Sequence, residues 1–554
     1  MSEDGVQSFD LVSQPWIRTR TGEHVTERSL DETLARAHEI EGLAGELPTQ
    51  SAAVLRVLLS ILRRALPYAP TRAQAEDQWG ELWQRETLPM QEIRAYLDAH
   101  RDRFDLLSTT TPFMQVADLK ANGTSGLVKL IGDHPDNENA YFSTRSGRAV
   151  QRIGLPEAAR WLVHAQAYDP SGIKTGADGD DRVKGGKGFP IGTGWTGRTG
   201  LIVVEGANLK ETLLLNLPLD QQDSTDRPVW ERDRLTAAVE KGHTDPVGPV
   251  DLMTWPIRRI RLITAGTDVV DVQISNGDPI RHFNQHEHEP MSGWRRSQAQ
   301  EKKNGVDVAY MPREHDPERA LWRGLAGLLV QRAKSGAVGN EAPASMPPHS
   351  LEWLAAVQEQ ELLARDAPVR LRMIGMVYGA QSSSTASVID DALRLRLSVL
   401  TDERLHALVI DSLTDAEAAV AALVRLAADL ADARGQESDA PRATARATGY
   451  LRLDQGYRRW VASLTSESDL VERRTAWQRF VKDAIWRLGD ELVLQAGDDA
   501  FRGRDVEGKG KGGGARLVTS GSALLWFTRN LATALPLAKP PTTEDSKEQE
   551  AAHG

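Results

Sequence analysis

The feature that most constrains this chain is a change of hydrophobic period near Thr401. Upstream, short apolar runs such as Leu201 to Val204 and Ile260 to Ile263 read as strands. Helical stretches lie between them. Ser51 to Leu66 is apolar on nearly every face, which predicts a buried helix. Asp316-Pro317 predicts a further helix start, with Gly336 placed to end it. Downstream of Thr401 the pattern is helical throughout. Thr414 to Glu417 has capping-box spacing, and Val420, Leu423, Ala427 and Leu430 form one stripe that Gly435 can close. A second helix is predicted from Arg442 to Leu464, across Gly449 and Gly456. A third is predicted from Ser468 to Ala496, with Trp477, Val481, Ile485, Leu488 and Leu492 on one face and Arg473, Arg474, Lys482 and Arg487 off it. A fourth is predicted from Leu517 to Leu535, stopping before Pro536. Four one-sided helices in succession argue for a four-helix bundle. The expected class is α+β: a mixed α/β domain over residues 1–400, a four-helix bundle over 401–538, and a charged, Pro-rich, disordered tail over 539–554.

Composition removes several chemistries. The chain has no cysteine, so it has no disulfide, thiolate metal site or cysteine nucleophile. No apolar run is long enough for a membrane span, and the polar start, Met1 to Phe9, lacks a signal-peptide pattern. A cytoplasmic protein without membrane contact is expected. Fourteen tryptophans supply material for large packed interfaces. The net charge of −11 argues against uniform nucleic-acid binding, but its distribution matters more. Between Ser143 and Gly200 there are nine Lys/Arg against five Asp/Glu, a local excess of basic charge. A basic stripe on an acidic chain suits a subunit that meets nucleic acid with one face; a solvated loop reads the same way.

Two segments are long and irregular: Pro170 to Gly200, with ten glycines, and Gly497 to Gly514. Loops of this length are functional or disordered. Gly192 to Gly197 satisfies GxGxxG, but a strand-like run follows at Leu201 where a nucleotide site needs a helix. Gly503 to Lys509 matches the start of a P-loop, yet Gly510 stands where a magnesium-binding Ser or Thr belongs. His282, His286 and His288, with Glu287 and Glu289, are the densest set of metal-ligand types. Their spacing is not HExxH on a helix, and a polar surface loop is the competing reading. No GxSxG elbow is present. No metal or cofactor is expected, and no catalytic residue is assigned.

Five segments, in order, carry a resemblance. They are Phe9 to Ile17, Thr111-Pro112-Phe113-Met114-Gln115, Asn139-Ala140-Tyr141-Phe142, Leu213 to Asn216 (read as a strand) and Tyr378-Gly379-Ala380-Gln381-Ser382. Together they resemble CasA, the large subunit of the type I-E CRISPR complex Cascade. The resemblance implies a mixed α/β domain followed by a four-helix bundle. It implies a non-catalytic protein that recognises the PAM beside a DNA target, opens the duplex, helps hold the R-loop and helps recruit a helicase-nuclease. The implied partners are the crRNA, target double-stranded DNA, the backbone, small and 5′-handle-binding subunits, and that effector.

The resemblance also implies sites. Gln381, Ser382 and Ser383 match the family's DNA wedge, with Gly379 permitting a tight turn; without the resemblance they read as a polar turn. Pro170 to Lys174 matches the PAM-facing glycine loop, giving Gly172, Ile173 and Lys174. An insertion over Ala177 to Lys187 leaves Gly185 and Gly186 as rivals. Bare backbone suits approach to a minor groove. Phe142, Arg145, Arg148 and Arg152 match the loop that anchors the subunit near the guide-RNA end. Arg281 is the candidate for a further DNA-contacting cation. Arg473, Arg474 and Lys482 are either a surface for displaced DNA or a solvated helix face. Two other classes remain open: a stand-alone metal-dependent nuclease built on His282 to Glu289, and a scaffold without DNA contact.

Overall fold

In a computed structural model, the structure describes residues 8–121, 123–132, 150–220, 223–240, 242–329, 342–506 and 516–538. The helix Pro48–Ala65 organises the first of two compact units. Proline opens it, and nearly every side chain from Thr49 to Arg63 is buried. This is the buried helix that its all-round apolar sequence predicts. Around it pack the helices Met90–Ala99, Leu155–Tyr168, Leu209–Leu215 and Pro249–Met253, and the strand Pro368–Tyr378. Leu55, Leu58, Ile61 and Leu62 are buried there. Burying each such side chain contributes roughly 1.5–3 kcal/mol.

This unit comprises residues 1–321 and 330–392. Its strands form small antiparallel sheets. Arg258–Ala265 pairs with Asp268–Asn276, so the run at Ile260 is a strand as read. Leu201–Glu205 pairs with Pro368–Tyr378, Leu201 opposite Ile374, and the latter strand turns into Thr385–Arg396. Leu213 to Asn216 departs from the expected strand. It ends a helix, Leu209–Leu215, started by the Asn208 side chain accepting from the Glu211 amide. The Asp316-Pro317 helix is also absent: Asp316 closes a turn through Glu318 N and Arg319 N. A 3₁₀ segment, Leu321–Leu328, follows; Gly336 lies outside the described residues.

The second unit comprises residues 322–329 and 393–554. Four helices dominate it: Glu403–Arg434, Asp439–Ala462, Leu470–Arg502 and Ser520–Ala534. The first and third each pack against the other three. The first begins well before Thr414. Asp402 caps it, and Leu405, Leu408 and Val409 extend the buried stripe upstream, so the capping-box spacing falls inside a helix. Gly435 ends it in the left-handed conformation, as expected. Gly456 lies inside the second helix because a Cβ there would sit 2.1 Å from Phe480. The third helix runs past Ala496 to Arg502, with Gly497 at φ +71° interrupting it. Leu517 belongs not to the last helix but to a strand, Arg516–Val518, paired with Arg504–Val506. The fourth helix starts at Thr519 with a capping box to Ser522. The P-loop-like segment therefore spans a helix end and a strand, and its lysine lies outside the described residues, as does the tail 539–554.

The tryptophans are mostly internal. Trp16, Trp161, Trp294 and Trp353 in the first unit, and Trp322 and Trp477 in the second, are fully buried. Trp322 stacks on Tyr457 at 4.6 Å and donates to Asp454 at 2.9 Å, drawing an upstream segment into the bundle. Among the described residues no helix is long and apolar enough to cross a membrane.

His349 gives the first unit a pH dependence. It lies 2.9 Å from Asp220 and 3.2 Å from Glu352. Burial opposes its charge, but hydrogen bonds to these two carboxylates raise its pKa from 6.5 to about 9. A raised folded-state value contributes stability that is complete below about pH 6.5 and is lost as pH rises through 9. The stability gap between wild type and His349→Gln should shrink by up to about 3 kcal/mol across that window. Urea unfolding at pH 6 and pH 9.5 measures it; a constant gap contradicts the assignment.

Candidate nucleic-acid interface

The strand Pro368–Tyr378 and the strand Thr385–Arg396 form a hairpin whose tip is Ala380–Ser382. The tip closes through Gly379 N to Ser384 O at 2.9 Å and Ser382 N to Gly379 O at 2.9 Å. Gln381 and Ser382 both have positive φ, +55° and +53°. Gly379 does not: its φ is −71°, so the turn draws on the left-handed region at Gln381 and Ser382, not at the glycine. Such backbone costs about 1–2 kcal/mol per non-glycine residue. Strain of this kind persists where surrounding structure holds it. Here Arg372 pins the two strands through Asp390 at 2.6 and 2.8 Å. At the root, the Tyr378 hydroxyl donates to the Tyr168 carbonyl at 2.7 Å. The Gln381 and Ser383 side chains are exposed.

The glycine loop starts where the helix Leu155–Tyr168 ends. Asp169, next in the chain, accepts from Arg258 Nε at 2.5 Å. Arg258 is fully buried and also donates to the carbonyls of Pro170 at 3.1 Å and Gly192 at 2.7 Å. Lys174 reaches the same carboxylate at 2.5 Å. Burial would raise Asp169, but the charges of Lys174 and Arg258 hold it below the usual carboxylate range. Burial holds Lys174 below the usual amine range despite Asp169. The Lys174 ammonium is thus turned inward, correcting the expectation that it faces a ligand. Gly172 keeps open space around its Cα at φ +137°, and Ile173 is exposed.

The insertion folds back as a second small hairpin, Lys174–Thr175 against Lys187–Gly188. Its inner turn is Lys184-Gly185-Gly186-Lys187, with φ of +58° and +72° at the glycines. Two successive positive φ values are the mark of a type I′ turn. Lys184, Gly185 and Lys187 are exposed, and so is Phe189 beyond them.

The GxGxxG segment has a packing explanation. A Cβ at Gly194 would sit 2.3 Å from the Ala167 backbone, and one at Gly197 would sit 2.0 Å from the Tyr378 hydroxyl. Leu201, pairing with Ile374, then carries the segment alongside the hairpin root. Gly192 leaves room for Arg198, whose guanidinium occupies the place of a Cβ, 1.5 Å from where one would lie.

These segments share a cleft of about 390 Å³. Ser171 of the glycine loop, Gly192, Thr193 and Arg198 of the GxGxxG segment, and Gln381 and Ser382 of the hairpin tip all line it. His282 lines it too, and burial followed by the charge of Arg198 lowers its pKa. Arg281, its neighbour, is exposed, lies 3.7 Å from Asp245 and stacks over Phe283 at 5.4 Å. Sequence reasoning missed Arg198 and Thr193. The one signal for Arg198 was its place in the basic stripe.

The remaining site residues fall elsewhere. Phe142, Arg145, Arg148 and the Asn139 to Phe142 segment lie outside the described residues. Arg152 is exposed, 3.5 Å from Asp268. Arg474 is spent on Asp415 at 3.1 Å and on Asp411, and Lys482 on the Ala538 carbonyl at 3.1 Å, so these two are internal bundle contacts and not free cations. The His/Glu cluster does not converge. Glu289 is fully buried, paired with both Arg56 Nη atoms at 3.0 and 2.8 Å and accepting from Trp195 Nε1 at 2.7 Å. His286 packs edge-on against Trp294 and Tyr310. Among the described residues no group of three His, Asp or Glu is placed to hold a metal.

The family model for CRISPR-associated protein Cse1 matches residues 10–488. The chain belongs to the Cse1 family. Cse1 of Thermobifida fusca is 41% identical and superimposes with a TM-score of 0.87, over 97% of this chain and all of that one. The CasA/Cse1 protein of Thermus thermophilus is 29% identical over 391 residues, 70% of each chain. A chain of a CRISPR RNA-guided surveillance complex shares the fold at 20% identity, with a TM-score of 0.59 over 95% of this chain and 99% of that one. The mixed α+β region with a helical C-terminal part is thus the Cse1 fold, and the resemblance read from five short segments belongs to that family.

Removing one partner of a buried pair leaves an uncompensated charge. Glu289→Gln should lower stability by about 3–5 kcal/mol, and exposed Glu287→Gln by less than about 0.5 kcal/mol. Chemical denaturation of both variants tests this; equal, small losses would show Glu289 free of Arg56.

Proposed function

We propose that this chain is the non-catalytic large subunit of a type I-E Cascade, which recognises the PAM in double-stranded DNA and opens the duplex beside it. The observation that carries this reading is the shared cleft, which Ser171 of the glycine loop, Gln381 and Ser382 line together. One stretch of DNA can meet both segments. The family membership and the likeness to a chain of an RNA-guided surveillance complex support the same assembly.

In such a system base pairing with the crRNA reads the sequence, and protein reads a short duplex signal. Opening each step costs about 1.4 kcal/mol before the heteroduplex offsets it. The hairpin is suited to opening a duplex. Its strands are cross-linked by Arg372 and Asp390, and its tip holds Gln381 and Ser382 at positive φ. Gln381 presents a planar amide where a base pair separates. On the glycine loop and its insertion, Gly172 and the Gly185-Gly186 turn offer bare backbone for the minor groove, with Ile173, Lys184 and Lys187 beside them. Lys174 serves by holding the loop to Asp169. Arg281 stands next to the cleft and is the further DNA-contacting cation. Phe142, Arg145, Arg148 and Arg152 anchor the chain near the 5′ end of the crRNA, among the backbone, small and handle-binding subunits. The bound complex then helps recruit a helicase-nuclease.

Gln381→Ala should slow R-loop formation at least tenfold while changing initial duplex binding less than threefold. Stopped-flow unwinding beside equilibrium binding reads both, and equal losses would reject the wedge. Replacing Arg145, Arg148 and Arg152 together should flatten the salt dependence of assembly by about one unit per lost phosphate contact. An unchanged slope would leave these side chains in solvent.

A further inference from the structure

Arg198 is a half-buried cation without a counter-ion among the described residues. No described carboxylate lies within salt-bridge distance of it, and its Nε has no hydrogen-bond partner there. Glu314 lines the same cleft and its charge acts on Arg198, but it does not come within ion-pair distance. Three fully buried arginines of this unit are each matched to a carboxylate: Arg56 to Glu289, Arg258 to Asp169, Arg259 to Asp278. Leaving a half-buried guanidinium unpaired costs free energy unless something else arrives to pair with it. Thr193 repeats the pattern independently. It is 3% exposed, lines the cleft, and its Oγ1 has no partner among the described residues. Both residues come from one loop, held by the Gly192 carbonyl on Arg258 and opened by the missing side chain at Gly192. His282 lines the cleft as well, its ring edge-on to Phe283 at 6.0 Å.

We infer that Arg198, with Thr193 and His282, forms a receptor for one phosphodiester group of the DNA strand that the Gln381 hairpin separates. The guanidinium supplies charge and a planar pair of donors that matches a phosphate. The Thr193 hydroxyl supplies a neutral donor. This deepens the duplex-opening reading and rests on it: the tip parts the bases, and the cleft beneath the tip then retains the backbone of one strand. The grip on phosphate is independent of sequence.

Two arms test it. In the first, the purified full chain is melted in inorganic phosphate and in chloride at matched ionic strength. Phosphate should stabilise wild type and Arg198→Lys, and should not stabilise Arg198→Gln. In the second, the assembled complex binds PAM-containing duplexes across a salt series. Arg198→Gln should weaken open-complex formation about tenfold and lower the salt slope by about one. A single neutral methylphosphonate linkage near the PAM should reproduce that loss in wild type and add nothing in Arg198→Gln. No phosphate effect together with a flat linkage scan overturns the site. A phosphate effect with a flat scan means a free anion is bound, and overturns its assignment to DNA. If Arg198→Gln is silent in both arms while Gln381→Ala still slows opening, the receptor fails and the wedge stands. If wild type binds duplexes with and without a PAM alike while the phosphate arm succeeds, the duplex reading fails, and with it the DNA ligand.

Discussion

The candidate cleft depends on one buried pair, Asp169 with Arg258. Arg258 binds Asp169 and the backbone carbonyls of Pro170 and Gly192 at once. Those contacts tie together the end of a core helix, the start of the glycine loop and the start of the GxGxxG segment. Burying such a pair adds little net stability, because desolvation of both groups offsets their attraction. What it fixes is position, since one fully enclosed charge holds two separate stretches, Asp169-Pro170 and Gly192, to its own strand. Lys174 adds to the same carboxylate, which makes it part of the clamp.

From that clamp the cleft follows. Gly194 and Gly197 press the loop against the Ala167 backbone and the Tyr378 hydroxyl, distances that no side chain would allow. Tyr378 in turn holds the hairpin root to Tyr168. The hairpin tip then stands over the cleft with two residues in the left-handed region. In the proposed wedge role, a cross-linked strand pair with a pre-set turn would lose little further freedom on meeting DNA. Paired strands position the tip, and Ser171 of the glycine loop shares the cleft with it.

Much of this was legible in the sequence, for reasons that can be named. The bundle helices show one-sided stripes, and Gly435 sits where a left-handed stop is needed. Gln381 was placed by likeness to a family, not by its own chemistry. Leu213 to Asn216 reads as a strand by likeness to the family, and a leucine run buried on all sides has no periodicity to oppose that reading; only the Asn208 cap marks it as helix. Thr414 misled because capping-box residues also occur inside helices. The charged residues were hardest. Arg474 finds Asp415 across 59 residues, and Glu289 finds Arg56 across 233, so neither pairing leaves a local signal. Arg198 is the converse, significant for the partner it lacks among the described residues, which only the fold reveals.

If the hairpin tip and the glycine loop act together, they address the same few base pairs. Photo-crosslinkers placed singly at Ser383 and at Ile173, in the assembled complex, measure this directly on a duplex with a defined PAM. Both positions should capture nucleotides within about one to three steps of the junction between PAM and target, and neither should do so when the PAM is scrambled. Crosslinks to separate stretches of DNA, or from only one of the two positions, would contradict a shared site.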